Sequence, residues 1–250
     1  MDREQFILST IRPMGEFTFP FLTSVVGIKD SQSGEHVGSG VRCVIHGRKA
    51  LVTALHVIEE AMNYPGKFAI SRGYGATPYQ VDGVIQYDRA GDLAVYYLPD
   101  GFTDAASEAR FWPEDRVDKS LDRLATDFLF VHGFPAARSR FVRAFQGVVS
   151  KSLPYGAMER IADLPTDLQP YQFAVDFDPS SMKLDTGAGD PFIDPHGLSG
   201  GGVWRIGLSG GTAAGWKPQL SWLVGIVTQW RPDQKILIAS KAERLGKPTI

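Results

Sequence analysis

The stretch Gly197-Leu198-Ser199-Gly200-Gly201 places a serine hydroxyl among glycines in the last quarter of the chain. Glycine permits tight turns and the close approach of another backbone, so this turn can present the hydroxyl to a ligand. The backbone N–H groups of Gly197 and Ser199 can then point toward one spot and bind a developing negative charge. Taken alone, the stretch is compatible with a solvent loop or with a turn that carries a nucleophile.

The positions of the histidines decide which architecture fits a serine nucleophile. The same pentapeptide matches the G-x-S-x-G nucleophile elbow of α/β-hydrolases, in which the acid and the histidine follow the serine. All histidines here precede Ser199; they are His36, His46, His56, His132 and His196. The α/β-hydrolase interpretation therefore has no base, whereas the chain order histidine, aspartate, serine remains available.

Two upstream stretches supply a base and an acid in that order. His56 stands where a β-rich run ends and a short helix-like stretch, residues 58–61, begins. Asp92 directly precedes the apolar run at residues 93–98. Considered singly, a histidine at a strand end is usually structural, and an aspartate before a strand is usually a turn residue or cap.

Together these stretches resemble the chymotrypsin-like (trypsin-like) serine peptidases. Thr-Ala-Leu-His-Val at residues 53–57 is similar to the T-A-x-H-V element of that family, and Asp-Leu-Ala-Val at residues 92–95 to its D-L-A-L or D-I-A-V element. Ser199 lies in the family's G-x-S-G-G. Gly-Ser-Gly at residues 38–40 looks like the bacterial Deg-type branch, here without a PDZ module. The matched stretches extend from about residue 20 to residue 240.

The resemblance implies a role for each residue of the motifs. Ser199 is expected to be the nucleophile, His56 the general base and Asp92 the group that orients the histidine. The amides of Gly197 and Ser199 are expected to form the oxyanion hole. No metal or organic cofactor is needed for this chemistry.

Short β-rich runs separated by glycine and proline recur in both halves of the chain. Such spacing predicts barrels or a sandwich. The resemblance implies an all-β fold of two packed antiparallel β-barrels with few short helices and the active site in the cleft between them. We assign residues 1–115 to an N-terminal barrel with His56 and Asp92, and residues 116–250 to a C-terminal barrel with Ser199. Residues 99–126 are charged and alanine-rich, and this composition predicts a segment that connects the two barrels.

The resemblance also predicts which residues bind substrate. Thr228 is expected to lie near Asp92 and support it, while Gln229 and Trp230 line the cleft. Ile193 corresponds to the base of the pocket that receives the residue before the scissile bond, which favours an apolar or small residue there. Aspartates in the long loop at residues 179–195 could instead shape a pocket for a basic residue; they are Asp185, Asp190 and Asp194.

Leu198 stands where secreted members that are activated by proteolysis have an aspartate. That aspartate pairs with the new N-terminus, so activation of this type is excluded. The enzyme is expected to be active as made or to need an activating protein partner.

Composition excludes other partners and suggests a compartment. The net charge of −2 gives no broad attraction to nucleic acid or anionic lipid. The first residues carry acids before any apolar stretch, so no secretory signal is expected, and no run is apolar enough to span a membrane. Only one cysteine, Cys43, is present, which predicts a buried, inert thiol and a reducing, cytoplasmic location.

Three further features are interpreted as structural. His132 and His196 are expected to have surface or hydrogen-bonding roles, and the spacing of the histidines with Cys43 matches no established zinc site. The small cluster of arginines at residues 137–143 is interpreted as part of a solvated loop.

The sequence therefore predicts a serine endopeptidase that acts on a peptide or protein substrate. Two alternatives stay open: a catalytically silent peptide-binding or regulatory module on the same fold, and an esterase-like activity on small substrates.

Overall fold

The computed structural model describes residues 3–30, 33–66, 68–70, 79–80, 84–99, 110–117, 128–142, 147–179, 194–206 and 216–247. Its helices are α1 (Arg3–Thr18) and α2 (Leu55–Met62). The strands of the first half are β1 (Leu22–Asp30), β2 (Ser33–Ile45), β3 (Arg48–Ala54), β4 (Phe68–Ile70), β5 (Tyr79–Gln80), β6 (Val84–Asp88) and β7 (Leu93–Tyr97). The strands of the second half are β8 (Phe128–Gly133), β9 (Ser139–Val142), β10 (Gly147–Ser150), β11 (Leu153–Arg160), β12 (Gln172–Asp176), β13 (Gly202–Arg205), β14 (Trp222–Arg231) and β15 (Ile236–Lys241). The predicted all-β class is confirmed.

The first half forms an antiparallel sheet with the strand order β5-β4-β1-β2-β3-β7-β6. The β2–β3 hairpin turns at His46 and Gly47, whose φ angles of 50° and 71° are those of a two-residue hairpin turn. Every side chain of β7 is buried because alternate residues enter different apolar clusters on the two faces of the sheet. This continuous burial fixes Leu93, and with it the position of Asp92 immediately before the strand.

The second half forms a closed barrel with the order β11-β12-β15-β14-β13-β8, and β9 and β10 form a separate hairpin. A shared apolar cluster joins the two halves. Its centre holds Trp112 and Trp204, both fully buried, with ring centroids 5.9 Å apart in an edge-to-face arrangement. Because one cluster takes residues from both halves, the two sheets pack directly against each other and define the cleft between them.

Helix α1 was not predicted from the sequence, since Pro13 and several charged residues interrupt its apolar pattern. It packs against β8 and β11 of the second barrel, where Phe6 and Met14 are buried. The contact is close at Gly156, where a Cβ atom would come within 2.5 Å of Ile7 Cγ2. Tertiary packing therefore stabilises a helix that local propensity does not favour.

Other local predictions need correction. Strands β4 and β11 were not predicted, and β11 contains Pro154 at a position where proline usually argues against a strand. The basic residues 137–143 were predicted as a loop, but the described part is a 3-10 turn followed by β9. The predicted burial of the Cys43 thiol is confirmed, and burial raises its pKa strongly.

His132 is buried in the barrel wall beneath α1. Its Nδ1 lies 2.7 Å from Thr18 Oγ1, which itself donates to the Met14 carbonyl at 2.7 Å. Because the Thr18 hydroxyl proton is already donated to Met14, the Thr18 oxygen accepts a hydrogen bond from His132 Nδ1–H. The neutral ring therefore carries its lone pair on Nε2. Among the described residues, Nε2 has no hydrogen-bond partner. Burial lowers the pKa of His132 to about 3, so the ring is neutral at pH 7.

We expect acid to destabilise the fold through His132 and His36. Burial also lowers the pKa of His36, to about 4, whereas both rings take a proton near pH 6.5 once unfolded. The unfolded chain then binds more protons, so stability is lost as the pH falls below about 6.5. From pH 7 to pH 5 each ring should lower the free energy of unfolding by about 2 kcal/mol. Denaturation at several pH values measures this slope. His132→Asn, which keeps a donor for Thr18, should flatten it, and an unchanged slope would contradict the prediction.

Candidate active site

His56 is presented by the junction between β3 and α2. Strand β3 ends at Ala54, and helix α2 turns its apolar residues toward the core, with Val57 and Ile58 buried. His56 lies on the other side of the helix, and 43% of its side chain is exposed. The helix thus anchors the residue while leaving its ring at the cleft.

Asp92 holds both the ring and the backbone of His56. Its Oδ2 lies 2.6 Å from His56 Nδ1, and its Oδ1 accepts from the His56 backbone N–H at 3.0 Å. The Asp92 carbonyl accepts from the Leu55 N–H at 3.0 Å. Since the carboxylate accepts from Nδ1–H, the neutral ring carries its lone pair on Nε2, where a general base needs it.

The charge around His56 favours its protonated form. Burial lowers the pKa of His56, but the hydrogen bond and charge of Asp92, with the charges of Glu60 and Glu59, outweigh burial and raise the pKa above 6.5. The base form of His56 is therefore populated at a higher pH than in an ordinary histidine.

Ser199 lies in a turn bound to both sheets. Its carbonyl accepts from the Ser39 N–H on β2 at 2.8 Å, and the next amide, Gly200 N–H, donates to the Val227 carbonyl on β14 at 2.7 Å. Gly200 has a φ of 85°, and a Cβ there would meet the Ser39 carbonyl oxygen at 1.9 Å. Only glycine fits at residue 200 in this turn, and the side chain of Ser199 is left half-buried.

Hydrogen bonds orient each peptide group before Ser199. The carbonyls of residues 196, 197 and 198 accept from Ala136 N–H (2.7 Å), Ser39 Oγ (2.8 Å) and Gly201 N–H (2.7 Å), respectively. In a trans peptide the N–H points opposite to the carbonyl, so the N–H groups of Gly197 and Ser199 point away from these donors. Within the described residues neither N–H has an acceptor. Both N–H groups are therefore available to an acceptor outside the described residues, which is the arrangement that an oxyanion hole requires.

Gly38 brings the histidine and serine elements together. A Cβ at Gly38 would lie 2.6 Å from a methyl group of Val57, which follows His56, and 3.0 Å from the Ser199 carbonyl oxygen. No hydrogen bond joins the Ser199 hydroxyl to His56 among the described contacts. In substrate-free enzymes this contact is often long and tightens when the complex forms.

The predicted substrate-binding residues differ in their surroundings, and not all of them belong to the described part of the chain. The Thr228 hydroxyl donates to the Ile238 carbonyl at 3.3 Å, so its proton is not available to Asp92. Gln229 is exposed, and Trp230 packs edge-on against Phe177 with centroids 5.2 Å apart. Ile193 lies outside the described residues, as do Asp185 and Asp190, while exposed Asp194 accepts from the His196 N–H.

Several residues that hold the site could not be predicted from the sequence. Ser39 was noted only as part of Gly-Ser-Gly, and nothing in the sequence indicated that Ala136 would bind the carbonyl of residue 196. Likewise, nothing in the sequence indicated the contacts around the turn before Asp92, which involve Asp88, Ser240 and Arg244.

Metal and membrane features can be stated for the described residues. They contain no group of three or more histidine, cysteine, aspartate or glutamate residues placed to hold a metal ion. Neither described helix is long and apolar enough to cross a membrane.

The sequence matches no protein-family model and no curated protein. Solved structures are similar in fold. The crystal structure of a scabies mite inactivated protease paralogue has a TM-score of 0.52 at 14% identity, covering 90% of this chain and 90% of that chain. Human heparin binding protein has a TM-score of 0.53 at 13% identity, covering 93% of this chain and 89% of that chain. Both have the fold of chymotrypsin-like serine proteases, and at this identity the likeness concerns the fold alone. This chain has the chymotrypsin-like double-barrel fold.

Proposed function

We propose that this protein is a serine endopeptidase with the triad Ser199, His56 and Asp92. The observation that carries the proposal is the combination of the Asp92–His56 pair with two N–H groups, of Gly197 and Ser199, that have no acceptor among the described residues. A base held in the correct tautomer and an open oxyanion hole are the two requirements of serine-based acyl transfer.

The chemistry follows from these positions. His56 Nε2 takes the proton of the Ser199 hydroxyl as the oxygen attacks a peptide carbonyl. The amides of Gly197 and Ser199 stabilise the oxyanion of the tetrahedral intermediate. The imidazolium of His56, stabilised by Asp92, then gives its proton to the leaving amine, and water releases the acyl-enzyme by the same steps.

Fold alone does not distinguish an enzyme from a silent relative, since one similar structure is an inactivated protease paralogue. The site geometry favours catalysis. A collapsed oxyanion hole would turn the carbonyl of residue 196 toward the substrate, whereas here that carbonyl is bonded to Ala136 N–H. The Gly-Ser-Gly of residues 38–40 also supports kinship in motif style with the Deg-type branch.

Labelling with a fluorophosphonate probe tests the proposal. The wild-type protein should be modified at Ser199 in a time-dependent reaction, and Ser199→Ala should not be labelled. Cleavage of a peptide library and of simple esters by the same preparation separates a peptidase from an esterase. If the folded wild-type chain is labelled no faster than Ser199→Ala, the enzyme proposal fails and the silent peptide-binding module takes its place.

A further inference from the structure

We propose that Asp88, Ser240 and Arg244 are positioning residues that act on catalysis through Asp92. This inference rests on the function proposed above and extends it to a contact between the two barrels. Ser240 and Arg244 belong to the last strand of the second barrel and the 3-10 turn that follows it, whereas Asp88 and Asp92 bound the turn between β6 and β7 in the first.

Asp92 adopts a left-handed backbone conformation. Its φ angle is 50°, in a region that aspartate tolerates better than most residues other than glycine but that still costs more than an extended or right-handed backbone. The hydrogen bond within the turn, from Asp92 N–H to the Arg89 carbonyl, is long at 3.3 Å. Additional contacts are therefore needed to hold this conformation.

Asp88 organises the turn from within. One of its carboxylate oxygens accepts from the Gly91 N–H at 3.2 Å, and the other forms an ion pair with Arg244 Nε. The guanidinium of Arg244 lies over the ring of Tyr171, 4.2 Å from its centroid. Only 12% of the Asp88 side chain and 25% of the Arg244 side chain are exposed. The aromatic contact and the burial hold the arginine in place, so Asp88 keeps a fixed orientation.

Ser240 fixes the peptide group immediately before Asp92. Its hydroxyl is fully buried and donates to the Gly91 carbonyl at 2.5 Å. That carbonyl belongs to the same peptide plane as the Asp92 N–H, so the bond sets the direction in which the Asp92 residue leaves the turn. Two contacts from the second barrel, one at each end of residues 88–91, thus determine where the Asp92 carboxylate meets His56.

Arg244→Gln tests the inference, with Arg160→Gln as a matched control. Arg160 also pairs through Nε, with Asp176, and 28% of its side chain is exposed, but this pair lies within the second barrel. In Arg244→Gln we expect kcat/KM to fall between about tenfold and 100-fold, mostly in kcat, since small displacements of catalytic groups have costs of this size. The acid limb of the pH profile should move to lower pH, because a displaced Asp92 no longer raises the pKa of His56. Arg160→Gln should stay within about twofold of wild type.

Arg244→Lys should recover part of the loss, since an ammonium can still pair with Asp88. Ser240→Ala, which removes one hydrogen bond and little volume, should shift the pH profile in the same direction. It also keeps the inference testable if Arg244→Gln fails to fold.

The outcomes separate this inference from the proposed function. An NMR titration of the His56 ring needs no turnover, so the fall in the His56 pKa in Arg244→Gln is measurable in an inactive chain. A wild type that resists fluorophosphonate overturns the proposed function alone. An active wild type whose His56 pKa and pH profile are the same in Arg244→Gln, Ser240→Ala and Arg160→Gln overturns the inference, even if thermal stability falls.

Discussion

Asp92→Asn is expected to lower kcat by about 10⁴-fold while leaving the chain folded. Each carboxylate oxygen of Asp92 accepts one bond from His56, from its backbone N–H at 3.0 Å and from its Nδ1–H at 2.6 Å. An asparagine side chain has the same shape but only one acceptor. If its oxygen keeps the backbone bond, its NH₂ group faces Nδ1 and forces the proton onto Nε2. The ring is then in the wrong tautomer to take the proton of Ser199.

Steady-state kinetics with a cleaved peptide measure this effect, and circular dichroism verifies the fold. Asp167→Asn is the control, because Asp167 also accepts two hydrogen bonds, but from Arg231 at the surface. It should leave kcat within about twofold. A kcat for Asp92→Asn within tenfold of wild type would show that Asp92 does not set the tautomer of His56.

Gly200→Ala is expected to destabilise the protein by about 2 to 5 kcal/mol and to abolish labelling of Ser199. The φ angle of 85° at Gly200 strains any other residue by roughly 1 to 2 kcal/mol. The new Cβ would also stand 1.9 Å from the Ser39 carbonyl oxygen and 2.2 Å from Thr53 Oγ1. Overpacking adds about 1 to 3 kcal/mol, and here the atoms that must move belong to the backbone that positions the nucleophile.

Gly47→Ala provides a matched control for that prediction. Gly47 has a similar φ of 71°, but nothing lies within 4 Å of its Cβ position. It should therefore show only the backbone strain, about 1 to 2 kcal/mol, with normal labelling. Denaturant unfolding and fluorophosphonate labelling of both variants measure the difference. Equal stability losses in the two variants would mean that the nucleophile turn relaxes without cost.

Tertiary structure overrode local sequence signals in several elements. Helix α1 forms although Pro13 lies inside it, because it packs against the second barrel. Strand β11 forms although it contains Pro154, because it pairs with β8 and β12 within that barrel. Conversely, β7 was predictable because its five consecutive apolar residues suit a strand that is buried on both faces.

The expected role of Thr228 shows a different limit. A hydroxyl on β14 near Asp92 was expected from resemblance, but a register shift between Val227 and Gln229 accompanies a hydrogen bond from Thr228 to the Ile238 carbonyl. The sequence indicated a hydroxyl at residue 228, whereas the hydrogen-bond partner of that hydroxyl depended on a β-bulge that cannot be predicted from the sequence.

The sequence by itself determined the serine turn at residues 197–201 and its candidate partners, because every histidine precedes Ser199 and the order serine, acid, histidine is thereby excluded. Local glycine and proline spacing also determined the all-β class. Only the tertiary structure decided how that site is held. Ser39 reaches residue 197 across 158 positions, and Ser240 reaches Gly91 across 149. Such hydrogen bonds depend on how the two sheets pack against each other, so they cannot be predicted from a local pattern of residues.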